Sequence, residues 1–287
     1  MNPLHKHFST DQLFPLELVY HDTKQPHKEL PDHLHKWFEL VYVYEGSGIF
    51  FIDQAFYNME AGDCFVIPSN TIHRAFPDED NPVTSTAIFF SASLIPPILL
   101  GESFSYLYCY EQAKLRKSHK IRLPLSERHH IESIFEHMQE ERNNQAIGHR
   151  HAILLDLSSI LLLLGRVLDD SPQLSKHPLI GPKWMQDILL YIDGHLESNL
   201  NLAALATRAS VTPAHFSRVF KQLTGLTVTE YVNAKRILLA GELLLSTDYS
   251  IHHIALQCGI QSLPHFHRIF KRITGTTPAS YKRGNNS

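Results

Sequence analysis

Four polar side chains near the start of the chain have the types and the spacing of a binding site. The pattern His33-x-His35-x3-Glu39 is followed by His73, which comes five residues after Pro68. Positions 33, 35 and 39 share parity, so on one β-strand their side chains would point to the same face. Imidazole nitrogens and a carboxylate oxygen can bind a metal ion or hydrogen-bond a polar small molecule.

Three interpretations of this quartet stay open. As metal ligands, the four residues would offer three nitrogens and one oxygen to Zn, Ni, Mn or Fe. As an effector site, they would hydrogen-bond a sugar or another small polar molecule, with Trp37 and Tyr42 as aromatic contacts. As ordinary polar residues, they would line the mouth of a barrel and bind nothing.

A second pattern, near the end of the chain, could recognise duplex DNA. The run from His215 to Lys221 returns as His265 to Lys271, and the identities extend to Tyr231 and Tyr281. At 100° per residue, Phe216 and Phe220 fall on one helical stripe with Val219 and Leu223, and their counterparts do the same. Such a repeat predicts a duplicated helical module with two apolar faces in the core.

The arc opposite each aromatic stripe has the chemistry for DNA contact. Arginine can fork onto guanine O6 and N7, while lysine neutralises phosphate. Two such helices would suit adjacent major grooves, about 34 Å apart. The predicted DNA-binding residues are Ala214, Ser217, Arg218 and Lys221 in the first copy, and Pro264, His267, Arg268 and Lys271 in the second.

Local signals predict that each copy is two short helices around a tight corner. Pro213 and Pro264 fall in first turns, where a missing N–H is harmless, and Gly259 serves the second corner. This is the organisation of a helix-turn-helix. The predicted N-caps are Asn201, Thr212, Ser250 and Ser262.

Over about its last hundred residues, the chain resembles the AraC/XylS family of transcription regulators. The resemblance rests on Leu202 to Ala206, the two Phe-x-Arg-x-Phe-Lys runs, both Thr-Gly pairs and Thr277-Pro278. It implies two helix-turn-helix units joined by a linking helix, here Val228 to Leu245. His265 and His267 depart from the usual family pattern, which leaves the bases read by the second helix open.

Composition and charge fit a soluble, two-domain, DNA-binding chain. The 287 residues are 43% hydrophobic and 19% charged, with a net charge of −3. From Lys183 onward, 11 Lys and Arg face 6 Asp and Glu, or +5, and the remainder has 15 against 23, or −8. The basic end contains the paired helices, as expected for a nucleic-acid partner.

Cysteine usage and apolar runs point to the cytoplasm. The three cysteines are far apart and lack metal-ligand spacing, which indicates a reducing compartment. The first residues do not resemble a signal peptide. The strongest apolar run, Ile160 to Leu164, is shorter than the ~20 residues of a spanning helix, so we expect no membrane segment.

The first half predicts a small β-barrel with flanking helices. Short aromatic and β-branched runs separated by turns predict strands at Leu16 to Tyr20, Trp37 to Tyr44, Ile49 to Asp53, Cys64 to Ile67 and Val83 to Phe90. With the His/Glu quartet, this arrangement looks like the two cupin motifs, although Asn70 stands where the motif prefers glycine. Helices are predicted at Leu94 to Leu100, Ser126 to Glu141 and Ala152 to Leu168.

The apolar stripe of the last of these helices is too wide for one wall of a barrel. We therefore expect a homodimer contact through residues 149–170. The Pro-rich stretch that follows predicts a linker, so the expected domains are 1–170, 171–182 and 183–287. The predicted fold class is α+β, a cupin-like barrel followed by an all-α domain of two helix-turn-helix units.

The functional expectation is a cytoplasmic, sequence-specific transcription regulator and not an enzyme. The family resemblance implies a small-molecule effector in the cupin-like domain, with a sugar first, activation of transcription, and RNA polymerase as a partner. The alternatives are a metal-dependent cupin enzyme and a metal-responsive repressor, both using His33, His35, Glu39 and His73.

Overall fold

The computed structural model describes residues 4–5, 13–24, 33–35, 37–95, 104–170 and 182–283. These residues form two compact units. The barrel unit contains residues 13–24, 35, 37–95 and 104–170, and the helical unit contains residues 4–5, 33–34 and 182–283. Nearly all of the predicted linker, 171–182, lies outside the described residues.

Among the described residues up to 170, the structure has ten strands and three α-helices. Two short strands, β1 and β3, pair in parallel and belong to the helical unit. The strands are β1 Leu4–His5, β2 Leu16–Thr23, β3 His33–Leu34, β4 Phe38–Glu45, β5 Gly48–Ile52, β6 Ala55–Met59, β7 Asp63–Ile67, β8 His73–Pro77, β9 Thr84–Phe90 and β10 Lys120–Arg122. The helices are α1 Tyr108–Arg116, α2 Leu125–Asn144 and α3 His149–Asp170.

The barrel unit is built from two antiparallel sheets. One sheet has the strand order β10-β7-β4-β9-β2, and in the other β5 lies between β8 and β6. Aromatic and aliphatic side chains from both sheets, including Phe50, Phe65 and Phe89, pack together in the interior. The predicted α+β barrel is confirmed, and the strands β6, β8 and β10 were not predicted from the sequence.

Strand β4 separates the barrel interior from a helical layer. Val41 and Val43 point into the interior, whereas Leu40 and Tyr42 pack with α1, α2 and α3. This alternation has the period of two that an extended backbone imposes. Because both faces of β4 are covered, the strand is apolar on both sides except at Glu39 and Glu45.

The helices α2 and α3 form an antiparallel layer over the sheet that contains β4. On α2 the apolar side chains share one stripe and are buried; they are Ile131, Ile134, Phe135 and Met138. Among the described residues, α3 is the one helix long and apolar enough to cross a membrane. However, Leu157, Ile160 and Leu161 of α3 are fully buried in the protein core, as in a core helix.

The helical unit contains seven helices and bears out the predicted N-caps. Asn201, Thr212, Ser250 and Ser262 each accept a hydrogen bond from a backbone N–H in the first turn. Thr227 and Glu230 form a capping box at the linking helix, α7. The helices are α4 Lys183–Gly194, α5 Leu202–Arg208, α6 Pro213–Thr224, α7 Val228–Ser246, α8 Ile251–Gln257, α9 Leu263–Thr274 and α10 Pro278–Arg283.

The duplication in the sequence is also a duplication of contacts. Phe220 meets Tyr231 edge-to-face with 5.5 Å between ring centroids, and Phe270 meets Tyr281 in the same way at 5.4 Å. Gly225 and Gly275 end α6 and α9 in the left-handed conformation, at φ 76° and 78°. Each module therefore ends its second helix and anchors the next one by the same pair of devices.

Arg236 of the linking helix connects the two modules. Its Nε and Nη2 donate to the carbonyl oxygens of Leu196 and Ser198, at 2.8 and 2.7 Å, after α4. The corner of the second module, Gly259, has φ +75°, and a Cβ there would lie 2.4 Å from the Leu196 oxygen and 2.8 Å from Arg236 Nη2. The segment between α4 and α5, the linking helix and the second corner thus meet at one point.

Candidate nucleic-acid interface and effector site

The second helix of each module presents the predicted DNA-contacting arc. In α6, Ala214, Arg218 and Lys221 are exposed and Ser217 is half-buried; in α9, Pro264, Arg268 and Lys271 are exposed and His267 is half-buried. On the opposite side, Phe216, Phe220, Phe266 and Phe270 are buried. The structure thus brings all eight predicted residues to the outer arcs of two equivalent helices.

The two arcs differ in how firmly their helices are packed. Ile269 and Ile273 of α9 are buried, whereas the equivalent Val219 and Leu223 of α6 are half-buried. The expectation that Val219 and Leu223 are core residues is therefore only partly met. Trp184 of α4 compensates in part, since its ring lies 5.1 Å from that of Phe216.

A histidine lies beside the arginine in both helices. Arg218 Nη2 is 3.3 Å from His215 Nδ1, and Arg268 Nη2 is 2.9 Å from His265 Nδ1. Because a guanidinium only donates, Nδ1 of each histidine must be the acceptor. The sequence shows this i, i+3 spacing, but it does not show that the side chains meet.

Three members of the predicted His/Glu quartet come together inside the barrel. His35, Glu39 and His73 are buried, and their ligand atoms all lie within 4.8 Å of one another. Nε2 of His35 and Nε2 of His73 are each 2.9 Å from Oε2 of Glu39. These residues could hold a cation or hydrogen-bond a polar ligand.

The trio joins the two sheets. Glu39 lies in β4, on the same face as Val41, and His73 begins β8 in the other sheet. His35 lies in the segment before β4, where its backbone oxygen accepts from the N–H of Asn70. The site therefore depends on pairing of segments that are far apart in the chain.

The expectation that 33, 35 and 39 share one strand is wrong. His33 lies in β3 and Glu39 in β4, because the extended segment is interrupted between residues 34 and 38. The side chain of His33 lies outside the described part of the structure, so its role as a ligand remains a prediction.

Histidine contacts outweigh the effect of burial on Glu39. Burial favours the neutral carboxyl, but coulombic attraction by His73 and hydrogen bonds with His35 and His73 hold the pKa of Glu39 well below its usual range. The carboxylate is therefore ionised in an interior lined by aromatic rings. Phe89 lies edge-on to His35 at 5.5 Å, and Phe50 lies 6.2 Å from His73.

The two predicted aromatic contacts have different locations. Trp37 packs against the barrel interior. Tyr42 lies on the opposite face of β4, in the core shared with the helices, and its hydroxyl donates to Glu132 of α2 at 2.5 Å. The assignment of Tyr42 to the effector site is therefore corrected, because even-numbered residues of β4 face outward. Phe50 and Phe89, which sequence reasoning missed, line the interior instead.

Comparison with known proteins identifies both halves of the chain. A family model described as a helix-turn-helix domain matches residues 205–284, and one described as an AraC-like ligand binding domain matches residues 15–155. The HTH-type transcriptional activator RhaS of Klebsiella pneumoniae (strain 342) is 26% identical over 240 residues, covering 83% of this chain and 82% of RhaS. The regulatory protein PocR of Salmonella typhimurium is 32% identical over 126 residues, 42% of each chain.

Two solved structures are similar in sequence to about a third of the chain. The DNA-binding domain of AdpA, in complex with a target DNA, is 31% identical and covers 34% of this chain and 88% of that domain, with a TM-score of 0.34. The C-terminal domain of AraT, a response regulator from Geobacillus stearothermophilus, is 32% identical and covers 36% of this chain and 86% of its own, with a TM-score of 0.35.

Proposed function

The chain belongs to the AraC family of transcription regulators, and from that premise we propose that it activates promoters whose two half-sites are contacted by α6 and α9. The DNA-contacting residues would be Arg218 and Lys221 with Ala214 and Ser217, and Arg268 and Lys271 with Pro264 and His267. The observation that carries this proposal is the repeated exposed Arg/Lys pair opposite a buried Phe/Phe pair. Activation is supported by the name of RhaS, a transcriptional activator.

The proposed control is a small polar effector bound in the barrel. His35, Glu39 and His73 offer donors and acceptors within an aromatic interior, against which Trp37 also packs. Such a combination suits the hydroxyl groups and apolar faces of a sugar. We include His33 in this site by its spacing in the sequence alone. The role is binding and not catalysis.

The effector can act only through a difference in affinity. An effector that binds two arrangements of the regulator equally shifts nothing, however tightly it binds. The proposed effector therefore favours the arrangement in which the DNA-contacting helices occupy adjacent half-sites next to RNA polymerase. The cytoplasm is the proposed location, since DNA and polymerase are there.

A homodimer through residues 149–170 is part of the proposal. Most of the apolar stripe of α3 is buried within one chain, including Leu163, which narrows the surface that was expected to need a partner. Leu155 of α3 is 68% exposed, and Leu162, two turns further on, is half-buried. These leucines are the proposed contact between two copies.

Selection from random duplex DNA tests the proposed DNA recognition. We expect the full-length protein to enrich sequences with two short specific blocks about 10 base pairs apart, centre to centre. Enrichment of no sequence over bulk competitor DNA at moderate salt would contradict the proposal. Footprinting of the selected site, with and without a panel of sugars, then tests the effector.

A further inference from the structure

The rings of His35 and His73 are both held by backbone carbonyl groups. Nδ1 of His35 lies 2.8 Å from the oxygen of Trp37, and Nδ1 of His73 lies 2.9 Å from the oxygen of Thr71. A carbonyl oxygen can only accept a hydrogen bond, so Nδ1 carries the proton in each ring. In a neutral imidazole this leaves a lone pair on Nε2.

Both Nε2 atoms approach the same oxygen of Glu39, at 2.9 Å each. Two lone pairs and an anionic oxygen repel one another unless a positive charge lies among them. This positive charge can come from protonation of both imidazole rings or from a single metal ion bound between the three side chains. Since all three side chains are buried, water supplies little screening of this repulsion.

The distances suit a shared ion. Nitrogen and oxygen ligands lie about 2.1 Å from a divalent transition metal ion, so two ligands at a right angle are about 3 Å apart and two opposite ligands about 4.2 Å. The three ligand atoms here lie within 4.8 Å of one another. An ion with two of these ligands on opposite sides therefore needs a closing movement of under about 1 Å, and a tetrahedral ion, whose ligands lie about 3.4 Å apart, needs up to about 1.4 Å.

The backbone carbonyl groups that hold His35 and His73 are of the kind that orient metal-binding histidines. A metal-binding histidine commonly donates its other ring N–H to a carbonyl or carboxylate group, which fixes its tautomer and its direction. His35 and His73 both meet this condition, although they come from different sheets. The donor set of two imidazoles and one carboxylate favours zinc, nickel, cobalt, manganese or iron over calcium and magnesium, which prefer oxygen ligands.

We propose that the barrel binds one divalent first-row transition metal ion, such as Zn²⁺ or Ni²⁺, through Nε2 of His35, Nε2 of His73 and a carboxylate oxygen of Glu39. Three protein ligands leave coordination positions open, through which oxygen atoms of a small molecule can bind. Metal binding does not depend on the proposed DNA recognition, so either can fail without the other.

The test uses full-length protein purified without a histidine tag and freed of metal with a chelator. Co²⁺ is added in steps and its visible absorption is recorded, after which Zn²⁺ is added as a competitor. Elemental analysis after dialysis against Zn²⁺ gives the stoichiometry, and thermal melting with and without Zn²⁺ gives an independent readout. Circular dichroism shows whether each variant is folded.

We expect one ion per chain in the wild type, with a melting temperature that rises as free Zn²⁺ increases. Glu39→Gln and His73→Gln should each weaken binding by at least about 100-fold, because each removes a direct ligand. The chain has 20 histidines, so weak uptake at the surface needs a control. His137→Gln removes an exposed histidine that also contacts a carboxylate, and this variant should retain the ion.

Two results would overturn the proposal. One is a wild type that takes up no stoichiometric ion and shows no Zn²⁺-dependent melting shift, which would leave two protonated imidazoles as the charge that balances Glu39. The other is stoichiometric uptake that is unchanged in Glu39→Gln and His73→Gln, which would place the ion elsewhere. The wild-type measurement decides the matter even if a variant fails to fold.

Discussion

The second helix of each module presents one arginine and one lysine, and the two residue types are expected to contribute differently to DNA binding. Arg218 lies next to His215 on α6, where a hydrogen bond orients its planar fork, whereas Lys271 is an exposed point charge near the end of α9. A fork recognises one base, and a point charge attracts any phosphate. We therefore expect Arg218 to contribute sequence specificity and Lys271 to contribute affinity for any DNA sequence.

The first prediction concerns Arg218→Ala. We expect binding to the selected site to weaken by ~1–3 kcal/mol, with relaxed sequence preference at one position, because a bidentate base contact is lost. Competition binding with single-base variants of the site measures both effects. Arg116→Ala removes the same charge from the exposed surface of α1 and should change neither. Unchanged affinity in Arg218→Ala would show that the wrong face of α6 has been assigned to DNA.

The second prediction concerns Lys271→Ala. All DNA sequences should bind more weakly in similar proportion, because a phosphate contact carries no base information. A plot of log affinity against log salt should become less steep by about one unit. A loss confined to the selected site, with an unchanged salt slope, would instead mean that Lys271 contacts a base.

Single residues also show what could be predicted from the sequence. The caps at Asn201, Thr212, Ser250 and Ser262 were correct because a cap depends on neighbours three residues away. Tyr42 was misassigned, since the face on which it lies depends on how β4 packs between the barrel interior and the helices. His35 and Glu39 meet His73 only through sheet pairing.

At the scale of elements, the junction at Arg236 and Gly259 fixes how the two modules meet. Arg236 donates to the Leu196 carbonyl in the segment that leads into the first module, and the backbone of Gly259 approaches the same carbonyl. A side chain at 259 has no space, and its backbone would be strained at a positive φ. The junction thus has both a conformational and a steric requirement for glycine.

The third prediction is that Gly259→Ala lowers the free energy of unfolding of the helical unit by ~1–3 kcal/mol or more. Its Cβ would lie 2.4 Å from the Leu196 oxygen, which is backbone and cannot move aside cheaply. Gly194→Ala is the matched control, because nothing lies within 4 Å of its Cβ. Chemical denaturation of both variants measures the difference, and equal stabilities would contradict the close approach at Gly259.

The fourth prediction concerns the link between α2 and α3. His137 Nδ1 lies 2.8 Å from Asp156 Oδ2, and this hydrogen bond raises the pKa of His137 above its usual value. A raised folded-state pKa gives stability that is complete below the unfolded-state pKa and is lost as the pH rises through the folded-state pKa. Burial raises the pKa of Asp156. The lower pH of the experiment must therefore lie above the pKa of Asp156, so that its carboxylate is ionised.

We therefore expect His137→Gln to lower the free energy of unfolding by less than about 1 kcal/mol near pH ~6, since the pair is partly exposed. The effect should be smaller near pH ~9, where the imidazole is neutral in both states. Denaturation of the wild type and the variant at the two pH values measures it. A larger loss at the higher pH would reverse the sign and exclude the ion pair.

Elements were predicted best where their signals are local. The helices α2 and α3 follow from apolar periodicity and α7 follows from the family resemblance, and their observed bounds differ from the predicted ones by a few residues. The strand β6 contains Asn58 and Met59, and β8 contains Arg74 and Pro77, so neither has the β-branched run used to predict strands. Hydrogen bonding to β5 defines both of them.

At the scale of the whole molecule, the proposed dimer determines how many DNA-contacting helices act together. The width of the apolar stripe on α3 suggested a partner, but the chain's own core covers most of it, and Leu155 is the large apolar side chain of α3 that is left exposed. Sequence periodicity does not reveal whether the covering surface comes from the same chain or from another copy.

The fifth prediction is that Leu155→Glu converts a dimer into a monomer at micromolar concentration, because a buried charge without a partner is costly. Sedimentation velocity of the full-length protein measures the change. Leu115→Glu alters a leucine that is 77% exposed on α1 and should leave the dimer intact. A wild type that sediments as a monomer under these conditions would exclude residues 149–170 as a dimer contact.

Strand β4 has a consequence for signalling that follows from its two covered faces. Glu39 belongs to the barrel site, its own carbonyl oxygen accepts from the hydroxyl of Tyr110 on α1, and Tyr42 of the same strand is tied to Glu132 on α2. Strand β4 is therefore hydrogen-bonded to α1 and α2 on one face while it contributes Glu39 to the barrel interior on the other. A ligand that displaces the Glu39 carboxylate would therefore also displace the strand to which α1 and α2 are hydrogen-bonded. Ligand binding in the barrel could reach the helices through this strand alone.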